Sequence, residues 1–210
     1  ADYEVSIFER RSSLPEVEQK PLVIVLPDFG ASTSSWRKVV ADLPEDRTVQ
    51  MVEYFGQGKS ALKRGVYSLS TLDRMLNTIV DDNSGPVVLV GHGLGGWLAL
   101  RFATHSPDSV ERVIVINPSG FEQHLELPKN IPETEKHLEM MFGKDWHFGF
   151  VLRDWLEFFE NPMQEEIRKE MLLSKKLHRE KKELTKDLHV LWGEQDPRTN
   201  GSYRLKFKEH

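Results

Sequence analysis

The sequence has no cysteine, which excludes disulfides, thiolate catalysis and thiolate metal sites. It has no excess of positive charge. A formal net charge of −5 removes the electrostatic case for nucleic acid as the main partner. No apolar run approaches the roughly 18 residues that a membrane span needs, so no membrane span is expected. The opening residues Ala1-Asp2-Tyr3-Glu4 lack the basic and apolar regions of a signal peptide, which favours a cytoplasmic location. Repeats at a fixed period are missing too, and no His spacing such as H-E-x-x-H is present, so neither metal nor cofactor is expected.

What remains is the composition of an ordinary globular chain. Hydrophobic residues make up 39% and charged residues 29% of 210 positions, enough for one domain with a substantial core. Short apolar runs alternate with stretches of helical periodicity. Residues 21–26, 48–52, 86–90, 113–116 and 188–192 read as strands, most of them apolar enough to be buried on both faces. Residues 3–9 alternate weakly and suit an edge strand. A helix capped by Ser34 or Ser35 would carry Trp36, Val39, Val40 and Leu43. A second would align Leu69, Leu72, Leu76 and Ile79 on one face, and a third begins near Trp97. This alternation predicts an α/β fold: a mostly parallel, twisted sheet with helices on both faces.

Residues 120–185 break the pattern. They are helical and charged, with Met140, Met141, Phe142, Trp146, Phe148, Phe150, Trp155, Phe158 and Phe159 close together. The expected organisation is a core from 1–119 and 186–210, interrupted by a helical cap over 120–185. Trp146, Phe148 and Trp155 then either line an apolar pocket or bury the insertion against the body. The charged run from Lys175 to Lys186 reads as a solvated helix face. The closing segment 203–208 alternates apolar and basic residues, as an edge strand would.

In a parallel sheet, ligands bind beyond the carboxyl ends of the strands. Three loops fall there: 27–30, 91–96 and 193–197. The middle one, Gly91-His92-Gly93-Leu94-Gly95-Gly96, follows the clearest strand and opens a helix. A strand, then G-x-S-x-G, then a helix is the nucleophile elbow. Its flanking glycines allow close approach of strand and helix. On these residues the chain resembles the α/β-hydrolase superfamily, most of all its small esterase, lipase and carbon–carbon hydrolase branches, which commonly read G-H-S-L-G-G here. Glu53-Tyr54-Phe55-Gly56-Gln57-Gly58-Lys59-Ser60 is similar to the family's D-x-x-G-x-G-x-S loop. Leu191-Trp192-Gly193-Glu194-Gln195-Asp196-Pro197 is similar to the loop that presents the catalytic acid. A P-loop reading of Gly58-Lys59-Ser60 fails, because Glu53 stands where that motif needs glycine.

The resemblance implies a set of roles. Gly93 stands at the nucleophile position, where serine is expected. Asp196 is the acid, with a turn-forming Asp before Pro as the plain alternative. The backbone N–H groups of Phe29 and Leu94 form the oxyanion hole, although Pro27-Asp28 replaces the family's His-Gly there. The base is a histidine after the last strand; if 203–208 is that strand, His210 occupies the place, and otherwise His210 is a frayed terminus. His92 is expected in packing. Glycine has no side chain to attack an ester. Three functions stay open: a carboxyl-ester hydrolase crippled at Gly93, a binding or scaffolding protein that keeps the hydrolase pocket for a small apolar acyl or aromatic ligand, and a nucleophile-free enzyme using His210.

Overall fold

A computed structural model describes residues 5–16, 20–28, 30–54, 59–60, 68–119, 128–144, 149, 152–153, 156, 184, 186–196 and 204. Its strands are β1 (Ile7–Arg10), β2 (Val23–Leu26), β3 (Val49–Val52), β4 (Val87–His92), β5 (Val110–Ile116) and β6 (Asp187–Leu191). They form one sheet in the order β1-β3-β2-β4-β5-β6. Among the described residues only the β1–β3 pair is antiparallel; β2–β3, β2–β4, β4–β5 and β5–β6 are parallel. The helices are α1 (Arg37–Ala41), α2 (Leu69–Asp81), α3 (Leu94–His105) and α4 (Ile131–Phe142). The expected α/β architecture, a mostly parallel sheet between helical layers, is what forms.

Side chains alternate across a strand, and β2 shows the consequence. Ile24 and Leu26 join Val52, Leu89, Val113 and Val115 beneath α2 and α3, whose Leu72, Leu76, Leu94 and Leu98 complete that layer. Val23 and Val25 face the other way, with Met51 and Val88, under Trp36 and Val40. Both faces of β2 are buried, so its four residues are all apolar. Helix α4 joins the first layer through Leu138, which is buried. Its start is a reciprocal cap: Asn130 Oδ1 accepts from Glu133 N at 2.9 Å, and Glu133 Oε2 accepts from Lys129 N at 2.9 Å.

Several local expectations are corrected. The helix expected from Ser34 or Ser35 starts earlier, because Ser32 Oγ accepts from Ser34 N and caps a 3-10 turn over Thr33–Trp36. Only then does α1 begin, and its Val39 faces solvent at 50% exposure. Strand β6 alternates exposed and half-buried residues, with Leu191 53% exposed, because only the face of Leu188 and Val190 packs on the core. Arg204, the one described residue of 203–208, is helical, so it does not extend as an edge strand. Its guanidinium is held instead by the carbonyls of Gly193 and Glu194 and lies 5.8 Å from the Trp192 ring centroid.

Candidate functional site

The strand order reverses around β2: β3 lies on one side and β4 on the other. Such a switch point opens a crevice at the strands' carboxyl ends. Two of the three singled-out loops meet there, 27–28 after β2 and 91–96 from β4 into α3.

The turn between β4 and α3 is one residue long. Gly93 has φ +53° and ψ −116°, a combination closed to L side chains without strain. Its N–H donates to the Ile116 carbonyl at 3.1 Å, and its carbonyl accepts from Trp97 N at 3.2 Å and Ser119 N at 2.8 Å. The flanking glycines are required by contact. A Cβ on Gly91 would overlap the Gly95 carbonyl, and one on Gly95 would overlap the Leu26 carbonyl. Helix α3 therefore lies with its first turn against the backbones of β4 and β2.

Asp28 completes this corner. Its Oδ1 accepts from Leu94 N at 2.8 Å. A Cβ built on Gly93 would overlap Oδ1, Cγ and Oδ2 of the same carboxylate. The N–H expected to bind an oxyanion is thus engaged by a carboxylate of the chain itself. A buried Tyr54 fixes the approach, its hydroxyl donating to the Pro27 carbonyl at 2.9 Å. Phe29, the other expected donor, lies outside the described residues.

Glu53 underpins the loop. It is buried, and its carboxylate accepts from Thr33 Oγ1 at 2.9 Å, Thr33 N at 3.3 Å and Lys59 N at 2.7 Å. Ser60 donates to the Glu53 carbonyl and accepts from Ser6 N, tying the loop to the segment before β1. The side chain at 53 serves architecture.

The third loop reaches the same end of the sheet. Asn117 follows β5 with φ +41°, and its N–H donates to the Leu191 carbonyl at 2.9 Å. Its Nδ2 donates to Asp196 Oδ2 at 2.6 Å and its Oδ1 accepts from Gly193 N at 2.7 Å. Since Gly93 N bonds to Ile116, the residue before Asn117, Gly93 and Asp196 share the carboxyl edge of β5. His210, Trp146, Phe148 and Trp155 lie outside the described residues. Among the described residues, no three His, Asp or Glu side chains are grouped to hold a metal ion, and no helix is long and apolar enough to cross a membrane.

Sequence reasoning missed two residues here. Asp28 was visible as a departure from His-Gly, but a loop carboxylate gives no sign of where it points. Asn117 carried a weak signal, because asparagine before proline suits a turn and asparagine tolerates positive φ better than most residues.

A family model described as the alpha/beta hydrolase fold matches residues 21–204. The chain belongs to the α/β-hydrolase family. An uncharacterized protein of Mycobacterium tuberculosis is 31% identical over 103 residues, covering 48% of this chain and 30% of that protein. The 1-acylglycerol-3-phosphate O-acyltransferase ABHD5 of Mus musculus is 25% identical over 116 residues, covering 53% of this chain and 33% of its own length. The matches thus span about a third of those curated relatives. Among solved structures, the lip1 protein of Acinetobacter baumannii AYE aligns with a TM-score of 0.81 at 19% identity, over 98% of this chain and 75% of that one.

Proposed function

We propose that this chain is a hydrolase-fold binding protein, which holds a small apolar acyl or aromatic ligand without cleaving an ester. In this reading the β4–α3 turn is the nucleophile elbow, Gly93 is the vacant nucleophile position and Asp196 is the inherited acid position. By match to the family's sequence, Leu94 and Phe29 hold the oxyanion-donor positions and His210 the base position. In the same reading residues 120–185 are the cap, with Trp146, Phe148 and Trp155 as its candidate ligand-binding residues.

The observation that carries the reading is the corner of Gly93, which has neither a side chain to attack nor an open N–H on Leu94 beside it. Losing a nucleophile leaves a residual rate of about 10³–10⁴ over water when the oxyanion hole survives. With Asp28 on the Leu94 N–H, that remainder falls too. Two positions that acyl transfer depends on are altered together, which favours binding over a hydrolase with one isolated lesion. The acyltransferase name of the mouse relative supports an acyl ligand.

The test is direct. The chain should show no hydrolysis of p-nitrophenyl butyrate above buffer, and saturable binding of butyranilide, an amide that hydrolases of this type cleave poorly. Turnover of the ester by the unaltered chain, or no binding of the anilide, would sink the reading.

A further inference from the structure

We infer that Asp28 decides what this corner accepts, by filling both the space and the hydrogen-bond donor that an acyl oxygen would need. The inference rests on the binding reading above and names the ligand chemistry of the same site. Three observations converge on one carboxylate. It accepts the first N–H of α3, from Leu94, at 2.8 Å. It overlaps the place where a side chain on residue 93 would begin. It is aimed there by a loop whose Pro27 carbonyl is held by the buried Tyr54 hydroxyl and whose Asp28 carbonyl accepts from Ala31 N at 3.1 Å.

The consequence is a reversal of polarity. An oxyanion hole is a set of donors waiting for negative charge. Here the negative charge is already supplied by the chain, at the head of a helix where the macrodipole favours it. A ligand carboxylate or a developing oxyanion meets a like charge at this point and no available Leu94 donor. A neutral or cationic group is not repelled. The corner therefore selects against fatty carboxylates and acyl intermediates.

Residues 28 and 93 are also coupled. A serine at 93 has to displace the Asp28 carboxylate and to adopt a positive φ. Restoring the nucleophile alone leaves a carboxylate crowded against it. The pair Asp28→Gly with Gly93→Ser removes the obstruction.

Octanoate is the probe for the first claim, with affinities measured by isothermal titration on the full chain. Asp28→Ala should bind it about tenfold or more tightly than the unaltered chain, through loss of like-charge repulsion together with release of the Leu94 N–H. Asp28→Asn keeps the shape and removes only the charge, and should show a smaller gain in the same direction. Unchanged octanoate affinity in both variants, whether octanoate binds all three proteins or none, overturns the inference. Butyranilide carries no charge, so its binding tests the ligand reading separately from Asp28. Thermal melts test the coupling. Gly93→Ser should lower Tm more in the Asp28 background than in the Asp28→Gly background, and equal shifts in the two backgrounds overturn it.

Discussion

Asn117 joins the end of β5 to the loop of Asp196 through both ends of its amide, giving a hydrogen bond to Asp196 Oδ2 at 2.6 Å and taking one from Gly193 N at 2.7 Å. Its positive φ of 41° puts it in a region that asparagine tolerates and alanine does not. Asn117→Ala should therefore cost more stability than Asn117→Gly, about 2–3 kcal/mol against about 1–2 kcal/mol, from the lost bonds and the added backbone strain. Urea denaturation of both variants measures the order. A larger loss for glycine would show that the backbone conformation carries no strain.

Asn117→Asp brings a second carboxylate to hydrogen-bond distance of Asp196. Two carboxylates sharing one site cannot both ionise freely, so one carboxyl is raised above its unfolded value. Stability linked to a raised carboxyl is fully present below the unfolded pKa and is lost as pH rises through the folded one. The variant should thus lose ground to the unaltered chain as pH is raised from 4 to 7, as read by Tm.

Gly93→Ala adds a Cβ in a conformation that L residues adopt only with strain, and against the Asp28 carboxylate. Backbone strain alone is about 1–3 kcal/mol, and moving Asp28 from Leu94 N adds to it. A loss of at least about 1 kcal/mol in denaturant unfolding is expected. A neutral outcome would place the turn in a different conformation.

Glu53→Ala removes the acceptor of Thr33 N, Thr33 Oγ1 and Lys59 N from a buried position. Buried donors without partners cost about 1–3 kcal/mol. A total near 3 kcal/mol is expected, with hydrogen exchange quickening first at Thr33 and Lys59. Exchange that stays slow at both amides would show that water or another group takes the place of the carboxylate.

Arg112 on β5 bonds to Asp187 on β6, Nε to Oδ2 at 2.7 Å, and that bond holds the Asp187 carboxyl below its ordinary 3.8, with a lesser pull from His189. A depressed carboxyl contributes stability that is present above its unfolded pKa and lost as pH falls through the folded value. Asp187→Asn should lower Tm at pH 7 and leave it unchanged near pH 2. Because the pair is exposed, the effect at pH 7 is small and shrinks further in high salt.

The sheet was legible because its strands declare themselves by composition. Val23–Leu26 and Val87–His92 lie in the middle of the sheet, and their apolar runs leave few other places to put them. The tight turn was legible because Gly91 and Gly95 are demanded by backbone contacts that no other residue satisfies. The 3-10 turn was not, since Ser32, Ser34 and Ser35 offer equivalent caps and only tertiary placement selects Ser32. Nor was the half-open face of β6, because a strand's exposure depends on what lies beside it. Asp28 was the largest gap. Its sequence neighbours fix the loop, but only the folded corner shows which donor it meets.

The strand order also bears on how the chain assembles as it is made. Once β2 and β3 have paired and β1 has closed their outer edge, each later strand joins the same advancing border in order of synthesis: β4, then β5, then β6. Among the described residues, no strand after β3 has to be threaded between two already in place. A growing polypeptide can thus lay down the sheet from one side to the other, with the residues of the Gly93 corner made before those of the Asp196 loop.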